Sequence, residues 1–194
     1  NLLLTLTALI WGMAFVFQRK GMESIEPITF TSARMALAAV AVGIAAFIYT
    51  KKPVAKTVPA ETEKISAETE RKNRRKNTVL GGICCGTFLA CASIFQQMGI
   101  VYTTAGKAGF ITAMYMIIVP VIGFVLFKKR NTWLVWLAVL IGVAGMYLLC
   151  MTEGFTLTRG DTLVCICAVL FSGHILCCDY FVQRGEAIWI SAIQ

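Results

Sequence analysis

Apolar residues in this chain come in long uncharged runs separated by short polar turns, and the run lengths predict membrane-crossing helices. The first run extends from about Leu2 to Phe17 and ends at Gln18-Arg19-Lys20, with Trp11-Gly12 near its middle. A loop from Gly21 to Glu26 leads to Pro27, suited to an early helical position, and a second run continues through Ala33-Arg34-Met35 to Tyr49. The one long polar segment, Lys51 to Asn77, reads as a solvated linker, with room for one helical turn or more of alternating charge. A third span covers about Val79 to Val101, with Gly82, Gly86 and Ala90 spaced for close helix packing and Gln96-Gln97 near its far end. Only Tyr102 to Thr104 separates it from the fourth, so the two run antiparallel.

The fourth segment organises the rest. From Ala108 to Phe127 twenty residues pass without a charge, enough at about 1.5 Å per residue to cross a hydrocarbon core of roughly 30 Å as one helix. Ala105, Gly109 and Ala113 would admit a neighbouring backbone, Tyr115 falls near mid-membrane, and Pro120 is expected to kink the helix. The carbonyl freed by the proline finds no partner in lipid, so this helix should face protein or a water-filled cavity. A fifth span runs from Thr132 to Met151 and a sixth from about Asp161 to Val182, carrying His174. A seventh apolar segment begins at Ile188 and is still open at Gln194. The fold class expected is therefore all-α, a polytopic transmembrane helical bundle. Asn1-Leu2-Leu3-Leu4 has no basic n-region or cleavage site after it and reads as a span, not a signal peptide.

Composition sharpens this picture. Hydrophobic residues make up 58% and charged ones 14%, which favours a membrane protein over a soluble domain. The formal charge of +8 does not point to nucleic acid, because nine of the eighteen Lys and Arg lie between Lys51 and Lys76. With Lys128, Lys129, Arg130 and Arg184 that side carries thirteen, against Arg19, Lys20, Lys107 and Arg159 on the other. The asymmetry places the amino terminus and loop 51–77 in the cytoplasm. All eight cysteines sit in apolar runs without a CxxC or zinc spacing, so they read as packing residues, with a Cys150 pairing to Cys165 or Cys167 as a minor alternative.

Trp11-Gly12, Pro27 followed by Arg34, the stretch from Gly99-Ile100-Val101-Tyr102 through Thr103-Thr104-Ala105-Gly106-Lys107-Ala108-Gly109 to Ala113, Val119-Pro120 and Lys128-Lys129-Arg130 together resemble a bacterial EamA-type member of the drug/metabolite transporter superfamily. The resemblance covers the chain apart from the linker. It implies ten helices in two five-helix repeats of inverted topology, a central cavity open alternately to each side, and export or exchange of small metabolites. It also implies a bacterial cytoplasmic membrane location. By that reading residues 1–151 are the first repeat, residues 152–194 begin the second, and about four helices of the second repeat are missing partners. A shift of 160 residues pairs Trp11 with Phe171, yet between Ala8 and Arg34 it leaves only Ala8/Ala168, Glu26/Glu186 and Ile28/Ile188 identical.

Several residues are candidates for a substrate cavity. Trp11 and Tyr115 could form aromatic walls, with core packing as the alternative. Gln97 is favoured over Gln96, since the two point to different sides of one helix, and Thr112 lies on the fourth span. His174, the only histidine, falls on the order of 20 Å into the membrane, where it is either a functional group or a neutral residue bonded to a neighbouring helix. Arg34 and Lys107 are candidates for an electrostatic role, against structural pairing, snorkelling or a plain interfacial position. No mid-membrane carboxylate is present to support proton coupling, and no catalytic, metal or cofactor set is expected. A small channel or noncatalytic membrane subunit competes with the transporter reading, and a membrane thiol oxidoreductase rests only on the cysteine count.

Overall fold

An uncharged stretch of Leu, Ala, Ile, Val and Phe in hydrocarbon must satisfy its backbone within itself, and the helix is the local way to do so. The computed structural model describes residues 2–50, 61–128, 132–152 and 158–194, and eight helices occupy them. They are α1 Leu2–Gly21, α2 Pro27–Thr50, α3 Glu61–Val101, α4 Ala105–Ala113, α5 Tyr115–Phe127, α6 Trp133–Thr152, α7 Arg159–Val182 and α8 Ala187–Ile193. Among the described residues five segments are long and apolar enough to cross a membrane: α1, α2, α3, the α4-α5 stretch and α7. Helix α6 adds an apolar stretch over Trp133–Gly145. The all-α membrane architecture expected from the sequence is what the chain adopts. Residues 51–60 of the linker, Lys129, Arg130, Glu153 and Gly154, and the side chain of Cys150, lie outside the described residues.

Two elements depart from the sequence reading. The second part of the linker is helix: α3 begins at Glu61 and runs 41 residues without interruption to Val101. Glu, Lys, Arg and Ala propagate helices well, and Glu68 with Lys72 and Glu70 with Arg74 stand four apart with the acid first, the favourable order. The fourth segment, expected as one helix, is divided at Met114 into α4 and α5. There the Met114 N–H bonds the Ile111 carbonyl at 3.1 Å, a tightened turn, while Pro120 lies farther on inside α5. Thr104 caps α4 by accepting the Lys107 N–H at 3.1 Å, and Lys128, at φ 49°, closes α5 in the left-handed conformation.

The turn after α1 recurs later. Helix α2 starts at Pro27 after the turn at 22–26, and α8 starts at Ala187 after the short turn that ends α7, an offset of 160 residues.

The contacts divide the chain into two units. The first comprises Asn1–Ser32 and Ala90–Gly173. Its buried apolar centre is Ile100, Ala108, Ile111 and Val164, with Phe15 and Met114 packed against it. Here α3 and α7 meet backbone to backbone: a Cβ on Gly160 would lie 2.6 Å from the Gly99 carbonyl oxygen and 2.8 Å from the Tyr102 carbonyl carbon. Gly109, expected to admit a neighbouring backbone, instead faces the Phe15 ring at ordinary contact distance, because α4 packs on α1 through side chains. Phe124 of α5 and Trp136 of α6 make an edge-to-face pair with centroids 6.2 Å apart.

The second unit comprises Ala33–Leu89 and His174–Gln194. In it the small residues of α3 receive α7 and α8: a Cβ on Gly81 would strike the Phe181 side chain at 2.7 Å, and one on Gly82 the Ile193 side chain at 2.5 Å. Ala90, third in the expected series, is exposed.

The crowding at Gly160 generates a paired expectation. Gly160→Ala should cost about 1–3 kcal/mol, because the obstructing atoms are backbone and cannot step aside. Gly142→Ala in α6, where nothing lies within 4 Å, should be neutral or stabilise by about 0.5–1 kcal/mol through helix propensity. Thermal unfolding of the detergent-purified protein checks both, and equal melting temperatures for the two variants would contradict the packing described.

Candidate functional site

One carboxylate of the first unit, Asp161, gathers partners from several elements. Thr158 and Asp161 form a capping box at the start of α7: the Thr158 N–H donates to Asp161 Oδ2 at 2.8 Å, and the Asp161 N–H donates to Thr158 Oγ1 at 3.2 Å. The other carboxylate oxygen accepts the Thr103 hydroxyl at 2.5 Å, and Lys107 Nζ stands 3.7 Å from Oδ2. The side chains of Lys107 and Asp161 are 12% and 2% exposed, so this is a buried pair with its lone pairs largely used. Arg19, at the end of α1, donates to the Ile100 carbonyl at 3.1 Å and to the Thr103 carbonyl, placing a cation on the carboxyl end of α3.

A second polar group is neutral. Gln96 Nε2 donates to Thr112 Oγ1 at 3.2 Å, and the Thr112 hydroxyl donates to the Ala108 carbonyl at 2.7 Å. Gln97 Nε2 approaches the Met22 sulfur at 2.8 Å. Both glutamines are buried, and Gln97 Oε1 has no hydrogen-bond partner among the described residues. A buried amide oxygen left in this state is costly and can accept from an N–H or O–H brought to it. Trp11 of α1, half exposed, lies against Phe171 of α7 with ring centroids 6.4 Å apart.

The second unit holds a sulfur-imidazole group. His174 Nε2 is 3.2 Å from Gln194 Oε1 and 3.5 Å from Cys178 Sγ, and Cys178 Sγ is 3.6 Å from Cys85 Sγ. Cys85, Cys178 and the other described cysteines are free. Among the described residues no group of three or more His, Cys, Asp or Glu could hold a metal ion.

Against known families, residues 1–151 match the EamA-like transporter family. The chain belongs to that family. The EamA-like chain is also 27% identical, over 196 aligned positions, to an uncharacterized transporter of Archaeoglobus fulgidus; the match covers 97% of the chain and 53% of that protein. The chain thus spans about half the length of the curated relative it matches. No solved structure matches it. The family is one of integral membrane transporters, not enzymes.

In this EamA-like chain Trp11, Gln97, Thr112 and Tyr115 fall in the first unit and His174 in the second. Gln97 and Thr112 are buried, and Tyr115 is half buried at the start of α5. No hydrogen bond or ring contact joins these four to one another among the described residues. Lys107 is drawn into the pair with Asp161, and Arg34 is half buried on α2 without an ion pair among the described residues. Sequence reasoning passed over Gln96, which proves to be the partner of Thr112, and Asp161, noted only as a span boundary. The Thr158-x-x-Asp161 spacing was the available sign of the capping box.

A double-mutant cycle measures the Lys107–Asp161 pair. Asp161→Asn or Lys107→Met alone should each cost about 3–5 kcal/mol by breaking a buried ion pair, and the double variant should cost clearly less than the sum. Additive losses in thermal unfolding would show that the two groups act independently.

Proposed function

We propose that this chain forms the first repeat of a small-metabolite transporter and opens a second repeat of inverted topology, the two working by alternating access. The observation that carries the reading is the recurrence of one helix-turn-helix pattern at an offset of 160 residues, with α2 starting at Pro27 and α8 at Ala187. Trp11 and Phe171, equivalent under the same offset, are in ring contact. Two equivalent residues come side by side only near the axis relating them, so the contact supports a pseudo-two-fold axis passing close to Trp11. Counting α4-α5 as one crossing, five crossings separate the start of α1 from that of α7, and an odd number reverses direction.

On this reading residues 1–151, with linker 51–77, are the first repeat and residues 152–194 the start of the second. The chain would lie in a bacterial cytoplasmic membrane, and the Lys and Arg asymmetry supports a cytoplasmic amino terminus and linker. Trp11, Gln97, Thr112 and Tyr115 supply the first unit's part of the substrate path. The unpartnered oxygen of Gln97 gives that path an acceptor for the amino group of an amino acid or a related solute. Arg34 and His174 are separate candidates in the second unit, and Pro120 leaves α5 with a missing backbone donor next to the path. Binding would shift the outward and inward states only through a difference in affinity between them.

Counterflow of labelled amino acids into liposomes containing the intact protein tests the assignment. Trp11→Ala and Gln97→Leu should each lower uptake by about ten-fold, corresponding to about 1.4 kcal/mol of lost interaction, with the protein still monodisperse. Uptake equal to that of the unaltered protein would remove these side chains from the path.

A further inference from the structure

Within the second unit, the charged part of α3 and the start of α8 enclose a cavity of about 380 Å³ lined by Arg71, Arg74, Arg75, Thr78, Val79, Glu186, Trp189 and Ile193. Its lining is of two chemical kinds. Arg71, Arg74 and Arg75, within two turns before Thr78 on α3, bring three guanidinium groups against a single carboxylate, Glu186, whose Oε1 is 4.0 Å from Arg74 Nε. Val79, farther along α3, Ile193, which packs at Gly82, and the indole of Trp189 supply the apolar end. The α3 lining positions recur at helical spacing, so one face of α3 carries the site. The floor is held by defined bonds. Thr78 Oγ1 donates to the Arg74 carbonyl at 2.8 Å and accepts the Glu186 N–H at 2.9 Å, and Trp189 Nε1 donates to Thr50 Oγ1 at 3.1 Å.

The cavity lies where α3 changes from charged to uncharged. Arg71 to Lys76 is the last charged stretch of α3, and from Asn77 to Val101 the helix carries none. That boundary is the depth of a membrane surface, where tryptophan is favoured and where anionic head groups carry their phosphates. The geometry points to an anionic phospholipid seated here, its phosphodiester between the guanidinium groups of Arg71, Arg74 and Arg75 and its glycerol and upper acyl chains against Trp189, Val79 and Ile193. Arginine forks match phosphate oxygens in pairs, and among the lining side chains three guanidinium groups stand against one carboxylate, a balance that favours an anion. A soluble phosphate would meet the same guanidinium groups and leave the apolar end unused. The lipid uses both.

Native mass spectrometry and equilibrium binding on the intact protein in detergent test this, with short-chain phosphatidylglycerol, phosphatidylcholine and glycerol 3-phosphate as the probes. Phosphatidylglycerol should bind at least about ten-fold more tightly than either of the other two. Arg71→Gln with Arg75→Gln should remove most of that preference. Lys72→Gln with Lys76→Gln takes the same charge from the same helix, but from positions that do not line the cavity, and should keep the preference. Glu186→Gln removes the competing carboxylate and should tighten phosphatidylglycerol binding several-fold, a gain that misfolding cannot imitate. Equal binding of phosphatidylcholine, equal binding of glycerol 3-phosphate, equal loss in the two double variants, or no gain with Glu186→Gln would each overturn the assignment.

Discussion

Hydrocarbon offers no hydrogen-bond partner, and the local structure of this chain follows from that constraint. Backbone groups are taken up by helices, and hydroxyls are returned to the helix that bears them. Thr7, Thr31, Thr87, Thr112 and Ser172 each donate to the carbonyl four residues earlier. What remains stands out against this background: the amide oxygens of Gln18 and Gln97, buried without a partner. In a medium where polar groups are matched locally, an unmatched one is informative.

Helix ends carry the longer-range bonds. Arg19 at the end of α1, Thr103 between α3 and α4, Lys107 in the first turn of α4, and Thr158 with Asp161 at the start of α7 are joined through one carboxylate and two carbonyls. Helix termini leave backbone groups unbonded, so partners drawn from other elements tie those elements together. Close approach then needs only shape, which Gly81 and Gly82 supply in the middle of α3, and Gly99 and Gly160 near the helix ends, by their lack of a side chain.

The spans were legible because their signal is the absence of charge over a fixed length, and Leu2 to Phe17 or Val79 to Val101 can be seen without knowing any neighbour. The start of α3 was not, because Glu61 to Asn77 is polar on every side and the same composition serves a solvated helix and a linker. The break at Met114 was also hidden. Pro120 drew the interruption toward itself, whereas the tightened turn lies earlier, at a methionine with no local mark. Among the candidate site residues, Thr112 and Gln97 are both buried, but the choice of Gln97 over Gln96 rested on their facing different sides of one helix, so that at most one would line a cavity. Both glutamines are buried. Asp161 was read by its place at a boundary when its partners, Thr103 and Lys107, lie more than fifty residues earlier in the chain. No pattern along the sequence reports such a meeting.

The contact of Gly99 with Gly160 constrains how α3 and α7 can move past each other in the first unit. Main chain lies close to main chain there, and the side chain nearest to Gly99, Val164, is β-branched and stiff. A slide along the helix axis would drive Val164 or Tyr102 into the opposite backbone, because they are the neighbours on either side of the contact. A tilt about the touching carbonyl disturbs neither. The glycine pair therefore holds α3 and α7 in register, and relative motion of the two meets least obstruction as a tilt.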